Sequence, residues 1–134
     1  MRTDPHLRRM KQQKYVFHSY LIDELPTTLP GIYNLGGGRQ LGKTTLLKQW
    51  MLSLLKAGVN PKAIAFLSCE LIFDEKSLYR IVKNQLDEMP ATGLLYLLLD
   101  EITYVKSWDK AIKYLADTGE FERVVVMISG SDLT

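Results

Sequence analysis

Residues 36–45 read Gly36-Gly37-Gly38-Arg39-Gln40-Leu41-Gly42-Lys43-Thr44-Thr45, and Gly37 to Thr44 fit the pattern G-x-x-x-x-G-K-[ST]. Each position of that pattern has a physical task. Gly37 and Gly42 allow backbone conformations and close approaches that a side chain would block. The amides of residues 38–45, with the N-terminus of a following helix, form a nest of N–H donors suited to phosphate oxygens. Lys43 would reach the β- and γ-phosphates, and the Thr44 hydroxyl would be a ligand for Mg²⁺. From average residue usage the pattern arises by chance at roughly 4 × 10⁻⁵ per position, so a coincidence in a chain this short is disfavoured. Context agrees: Gly31–Leu35 reads as a strand and Lys43–Ala57 as a helix, the setting that a phosphate loop requires.

Outward from this loop the chain alternates between strands and helices. The first helix carries Leu46, Leu47, Trp50, Met51, Leu54 and Leu55 at helical spacing and closes at Gly58. Ala63–Ser68 is a second strand. A second helix runs from about Glu75 to Glu88, with Leu78, Ile81, Val82 and Leu86 inward, and Pro90 and Gly93 break it. Leu94–Leu99 is apolar throughout, as a strand covered on both faces must be. Ser107 can cap a third helix with Trp108, Ala111, Ile112 and Leu115 inward, stopping at Gly119; Arg123–Ile128 is a fourth strand. Repeated β-α units with two-sided apolar strands predict a three-layer α/β/α core around a parallel sheet.

The third strand ends in Asp100-Glu101. Ligands of open parallel sheets bind at the carboxyl ends of the strands, which would set Asp100 beside the phosphate loop, holding Mg²⁺ through water. Glu101 is then the candidate to orient or deprotonate an attacking water. The fourth strand ends in Ser129-Gly130-Ser131. A hydroxyl there, from Ser129 or Ser131, could bond a γ-phosphate or the water; an ordinary strand-to-helix turn explains the same residues equally well. Glu70, after the second strand, reads better as a solvent-facing turn than as part of the cleft. His6 and His18 lack companion ligands for a metal role.

Composition narrows the class. The chain has 134 residues, 46% of them hydrophobic, with a formal charge of +2, which fits one domain at most and a globular core. The single Cys69 cannot form an internal disulfide and lies in an apolar run, so a buried structural thiol in a reducing cytosol fits. The longest apolar stretch, residues 94–99, is too short to span a bilayer, and no apolar signal region follows the N-terminal charges. Residues 1–30 read as a helical or extended lead-in. Asp4-Pro5 fits an N-cap with Pro at N1, which predicts a short helix through Arg8, Arg9, Lys11 and Lys14, a solvated basic face or, less commonly, a nucleic-acid contact; Pro26 and Pro30 punctuate the approach to the first strand.

With these residues in hand, the chain resembles AAA-like P-loop ATPases of the prokaryotic two-domain type. In that group a nucleotide-binding domain precedes a C-terminal domain of nuclease-like character. The resemblance rests on Gly38-Arg39-Gln40-Leu41-Gly42-Lys43-Thr44-Thr45-Leu46-Leu47, on Leu99-Asp100-Glu101-Ile102 with Trp108, and on Ile128-Ser129-Gly130-Ser131, in the family's order from residue 31 onward. It implies ATP, Mg²⁺ and hydrolysis. Gly38 departs from the expected Pro and would leave the loop more flexible. The resemblance also implies a fifth strand beyond the first. On that expectation residues 31–134 are an incomplete core, truncated after its fourth strand, that binds nucleotide and turns it over weakly. Its first strand would be an exposed edge open to self-association or to cover by residues 1–30. An arginine finger would come from elsewhere, because Arg123 lies at the far end of its strand. Three other readings compete. A GTP switch protein shares the loop but needs an Asn/Thr-Lys-x-Asp motif that the sequence lacks. A nucleic-acid or protein-binding module with a vestigial loop would use the basic lead-in. A small-molecule kinase would need a lid that cannot be read here.

Overall fold

The computed structural model describes residues 29–34 and 43–130. Four parallel strands are joined by helices: β1 (Gly31–Asn34), α1 (Lys43–Lys56), β2 (Ile64–Ser68), α2 (Glu75–Asp87), β3 (Leu95–Asp100), α3 (Trp108–Asp117) and β4 (Val124–Ile128). Short 3-10 turns at Pro61–Ala63 and Ile102–Tyr104 interrupt two of the connections. The sheet order is β1-β4-β3-β2, and every pairing is parallel. This is the α/β core of a P-loop NTPase, as the alternation of elements predicts. Among the described residues β1 pairs with β4 alone and forms one edge of the described sheet.

The two-residue period of a strand sorts the core into its layers. Leu95, Leu97 and Leu99 of β3, with Val124, Val126 and Ile128 of β4, face α2 and α3, where Leu78, Val82, Leu86, Ala111, Ile112 and Leu115 meet them. Tyr96, Leu98, Val125 and Met127 face the other way, onto Leu47, Trp50 and Leu54 of α1. Covered on both faces, β3 and β4 are buried at every residue, which explains the apolar runs Leu95–Leu99 and Val124–Ile128. The Trp50 ring stands edge-on to Tyr96, with centroids 6.1 Å apart.

The structure shifts several sequence expectations. Leu55 and Ile81, expected inward, are 37% and 36% exposed, because each lies at the margin of its helix's apolar stripe. Ala63 belongs to the 3-10 turn, where the Asn60 side chain accepts from the Lys62 N–H, and β2 starts one residue later. Ser107 precedes α3 but does not cap it with its hydroxyl. Its φ of 58° is left-handed, and its backbone carbonyl instead accepts from the Lys110 N–H at 3.0 Å. A side-chain cap occurs on α2, where Asp74 Oδ1 accepts from the Ser77 N–H at 3.0 Å. That bond holds the Asp74 carboxyl below its ordinary range. The lead-in helix, Leu35, the loop Gly36–Gly42, Ser131 and the other residues to 134 lie outside the described residues. No helix among the described residues is long and apolar enough to cross a membrane.

Candidate functional site

Parallel strands of matched register deliver their ends to one edge of the sheet. Asn34 is level with Ile128, Leu99 with Ile128, and Ser68 with Asp100. The chain therefore leaves β1, β3 and β4 side by side. At this edge the described core buries two polar side chains, Asp100 at 5% exposure and Ser129 at 1%. Burying a carboxylate is costly unless hydrogen bonds replace its water. Here two hydroxyls do so. Thr44, on the first turn of α1, donates from Oγ1 to Asp100 Oδ2 at 2.7 Å, and Ser129 donates from Oγ to Asp100 Oδ1 at 2.7 Å.

Ser129 bonds in four directions. Its hydroxyl oxygen also accepts from the Glu101 N–H at 3.2 Å. Its own N–H donates to the Leu99 carbonyl at 3.0 Å, and its carbonyl accepts from the Ile102 N–H at 2.8 Å. Glu101 takes a left-handed backbone with φ 56°, which costs a side-chain-bearing residue on the order of 1–2 kcal/mol. The bonds of Ser129 to Glu101 and Ile102 hold that turn. Gly130 follows for a steric reason: a Cβ there would stand 2.7 Å from Thr103 Cγ2 and 3.2 Å from the Thr103 backbone nitrogen. The tip of β4 and the turn after β3 can close on each other only if residue 130 lacks a side chain.

The structure thus brings together Thr44, Asp100, Glu101 and Ser129. Lys43 opens α1, and Thr45 follows Thr44 on the exposed side of the helix. Gly37, Gly38, Arg39, Gln40, Leu41, Gly42 and Ser131 are outside the described residues. Glu70 is exposed, as its turn position predicts. Cys69 is fully buried, and its N–H donates to the Asp100 carbonyl at 2.8 Å. Burial, and then the neighbouring Asp100 charge, push its thiol up to about 12, so it stays protonated. Arg123 lies at the opposite edge, where its guanidinium donates to the Pro90 and Gly93 carbonyls.

Sequence reasoning missed the shared role of Ser129 and the contact between Gly130 and Thr103. The signal available for both was Ser-Gly directly after an unbroken apolar strand.

A family model described as AAA domain matches residues 30–134. No curated protein and no solved structure matches the chain.

Proposed function

The chain belongs to the AAA domain family, and we propose that it is an ATPase that binds ATP at residues 37–45 and hydrolyses it with Mg²⁺. The observation that carries this reading is the 2.7 Å bond from Thr44 to Asp100. It joins the residue after the loop lysine to the carboxylate at the tip of β3, the two groups such a site needs around one metal ion.

The donor set fits Mg²⁺. A hydroxyl and a carboxylate are hard oxygen ligands, and Mg²⁺ keeps several of its waters, so two protein ligands suffice. Asp100 is buried with hydroxyl partners, and a divalent cation would give it a counter-charge. When bound, Mg²⁺ would neutralise charge on the β- and γ-phosphates. Lys43 would add the second cation there, and the amides of residues 38–45 would cradle the phosphate oxygens.

Glu101 is the proposed base, orienting or deprotonating the attacking water. Its left-handed turn gives a reason for Ser129 distinct from phosphate contact: the Ser129 hydroxyl fixes Asp100 and Glu101 relative to each other. Ser131 keeps the proposed contact to the γ-phosphate or the water. We extend the reading to the prokaryotic two-domain type with a nuclease-like C-terminal part, acting in the cytoplasm, on the motifs quoted above. A buried, protonated thiol at Cys69 is compatible with that compartment.

Phosphate release assayed with ATP and with GTP, each with Mg²⁺ and with chelator, tests the proposal. Release from ATP that stops on chelation supports it. A preference for GTP, or turnover indifferent to chelation, contradicts it.

A further inference from the structure

On the face of the sheet away from α1, helices α2 and α3 pack side by side and leave a groove of about 530 Å³ between them. Its lining is Glu75, Lys76, Tyr79 and Arg80 from α2 with Lys110, Ala111 and Tyr114 from α3. The two tyrosines meet edge to face, with centroids 5.4 Å apart and planes at 68°, and Tyr114 is left 55% exposed. A large ring braced by a second ring and still more than half exposed offers an aromatic platform.

The charges around it are uneven. Elsewhere on these helices the cations are neutralised locally: Lys83 by Asp87 and Glu120, and Lys113 by Asp117. Lys76, Arg80 and Lys110 are exposed and make no ion pair among the described residues; Glu75 is the one carboxylate lining the groove, and Asp74, at the start of α2, is near enough to feel the charges of Lys76 and Arg80. Lys76 and Arg80 are four residues apart on α2, so they share a face, and Lys110 lies across the groove from them on α3. Three cations against two nearby carboxylates, beside an aromatic platform, leave a surplus of positive charge that complements a ligand carrying phosphates on a flexible backbone with flat rings between them. A peptide of Asp and Glu would satisfy the cations but carries no ring to stack on Tyr114.

We propose that the groove between α2 and α3 binds single-stranded nucleic acid, with Lys76, Arg80 and Lys110 on its phosphates and Tyr114, braced by Tyr79, stacked on a base. The site is separate from the nucleotide site: none of its residues belongs to the Thr44–Asp100–Ser129 network.

Fluorescence anisotropy with fluorescein-labelled oligothymidylate of about 20 nucleotides tests this, because base stacking tolerates any sequence. Three phosphate contacts should give a slope of about −2 for log affinity against log salt concentration. The triple variant K76E/R80E/K110E should lose more than tenfold in affinity and most of that slope. Tyr114→Ala should lose about tenfold, the equivalent of about 1.4 kcal/mol of stacking, while Tyr114→Phe retains binding. ATP affinity should be unchanged in both Tyr114 variants, and their melting curves report folding independently. Four results would each overturn the proposal. The first is no oligothymidylate binding by the wild type. The second is equal binding by the wild type and Tyr114→Ala. The third is binding lost through R8E/R9E/K11E/K14E but not through the triple variant. The fourth is competition at the groove by polyglutamate in place of oligothymidylate, which would make it an acidic-peptide site.

Discussion

The two edges of this sheet are built from the same four strands and differ in kind. At the edge where the strands end, buried polar groups are tied together: Thr44 to Asp100, Asp100 to Ser129, Ser129 to Glu101. At the edge where they begin, the main polar fixture is Arg123, whose guanidinium closes the loop after α2 through the Pro90 and Gly93 carbonyls. The first edge stores cost, in a buried carboxylate and a left-handed Glu101. The second satisfies backbone carbonyls and stores none. That asymmetry agrees with the general rule that open α/β sheets bind ligands at the carboxyl ends of their strands.

Substitutions at the two edges should therefore separate. The largest effect is expected at Glu101. Glu101→Gln should keep ATP affinity while turnover falls by about 10²-fold or more, the contribution of a positioned base; steady-state kinetics beside calorimetry would measure it, and unchanged turnover would move the role elsewhere.

Ser129→Ala comes next. It leaves a buried carboxylate oxygen and the Glu101 N–H short of a partner, so urea denaturation should show a loss of about 1–3 kcal/mol. ATP turnover should fall with it, because Asp100 and Glu101 lose their common anchor. A stable variant with full turnover would make the hydroxyl dispensable.

Arg123→Ala should be milder and purely structural. It removes bonds at a partly exposed site, for about 1 kcal/mol of stability, and leaves ATP affinity alone. If ATP affinity dropped, the two edges would not be independent.

The smallest effect concerns Cys69, beneath the site. Its burial and raised pKa predict that a thiol reagent at about pH 8 leaves the native protein unlabelled and reacts after denaturation. Rapid native labelling would mean that β2 opens readily at this edge.

The layers and the alternation of strands and helices were legible in the sequence because burial imposes a repeating pattern. Leu94–Leu99 reads as a two-sided strand, and the spacing of Leu47, Trp50 and Leu54 gives the face of α1 that meets the sheet. Single positions at the margin were not: Leu55 and Ile81 continue the apolar pattern but fall where the helix turns toward solvent. Asp100 was legible as the end of an apolar strand. The function of Ser129 was not, because its partners lie about 30 residues away and depend on β4 settling beside β3. Local reasoning also favoured a hydroxyl cap at Ser107, and a left-handed backbone at that residue prevents it. In each miss a tertiary constraint decided between conformations that the local sequence allows.

The reading of Lys43, Thr44 and Asp100 as one ATP·Mg²⁺ site stands or falls on nucleotide affinity. Calorimetric titration of ATP in Mg²⁺ into the wild type and Lys43→Ala tests it most directly. The wild type should bind saturably and the variant at least tenfold more weakly, a loss of about 1.4 kcal/mol or more. Equal affinity for the two proteins, or no ATP binding by a folded wild type, would contradict it.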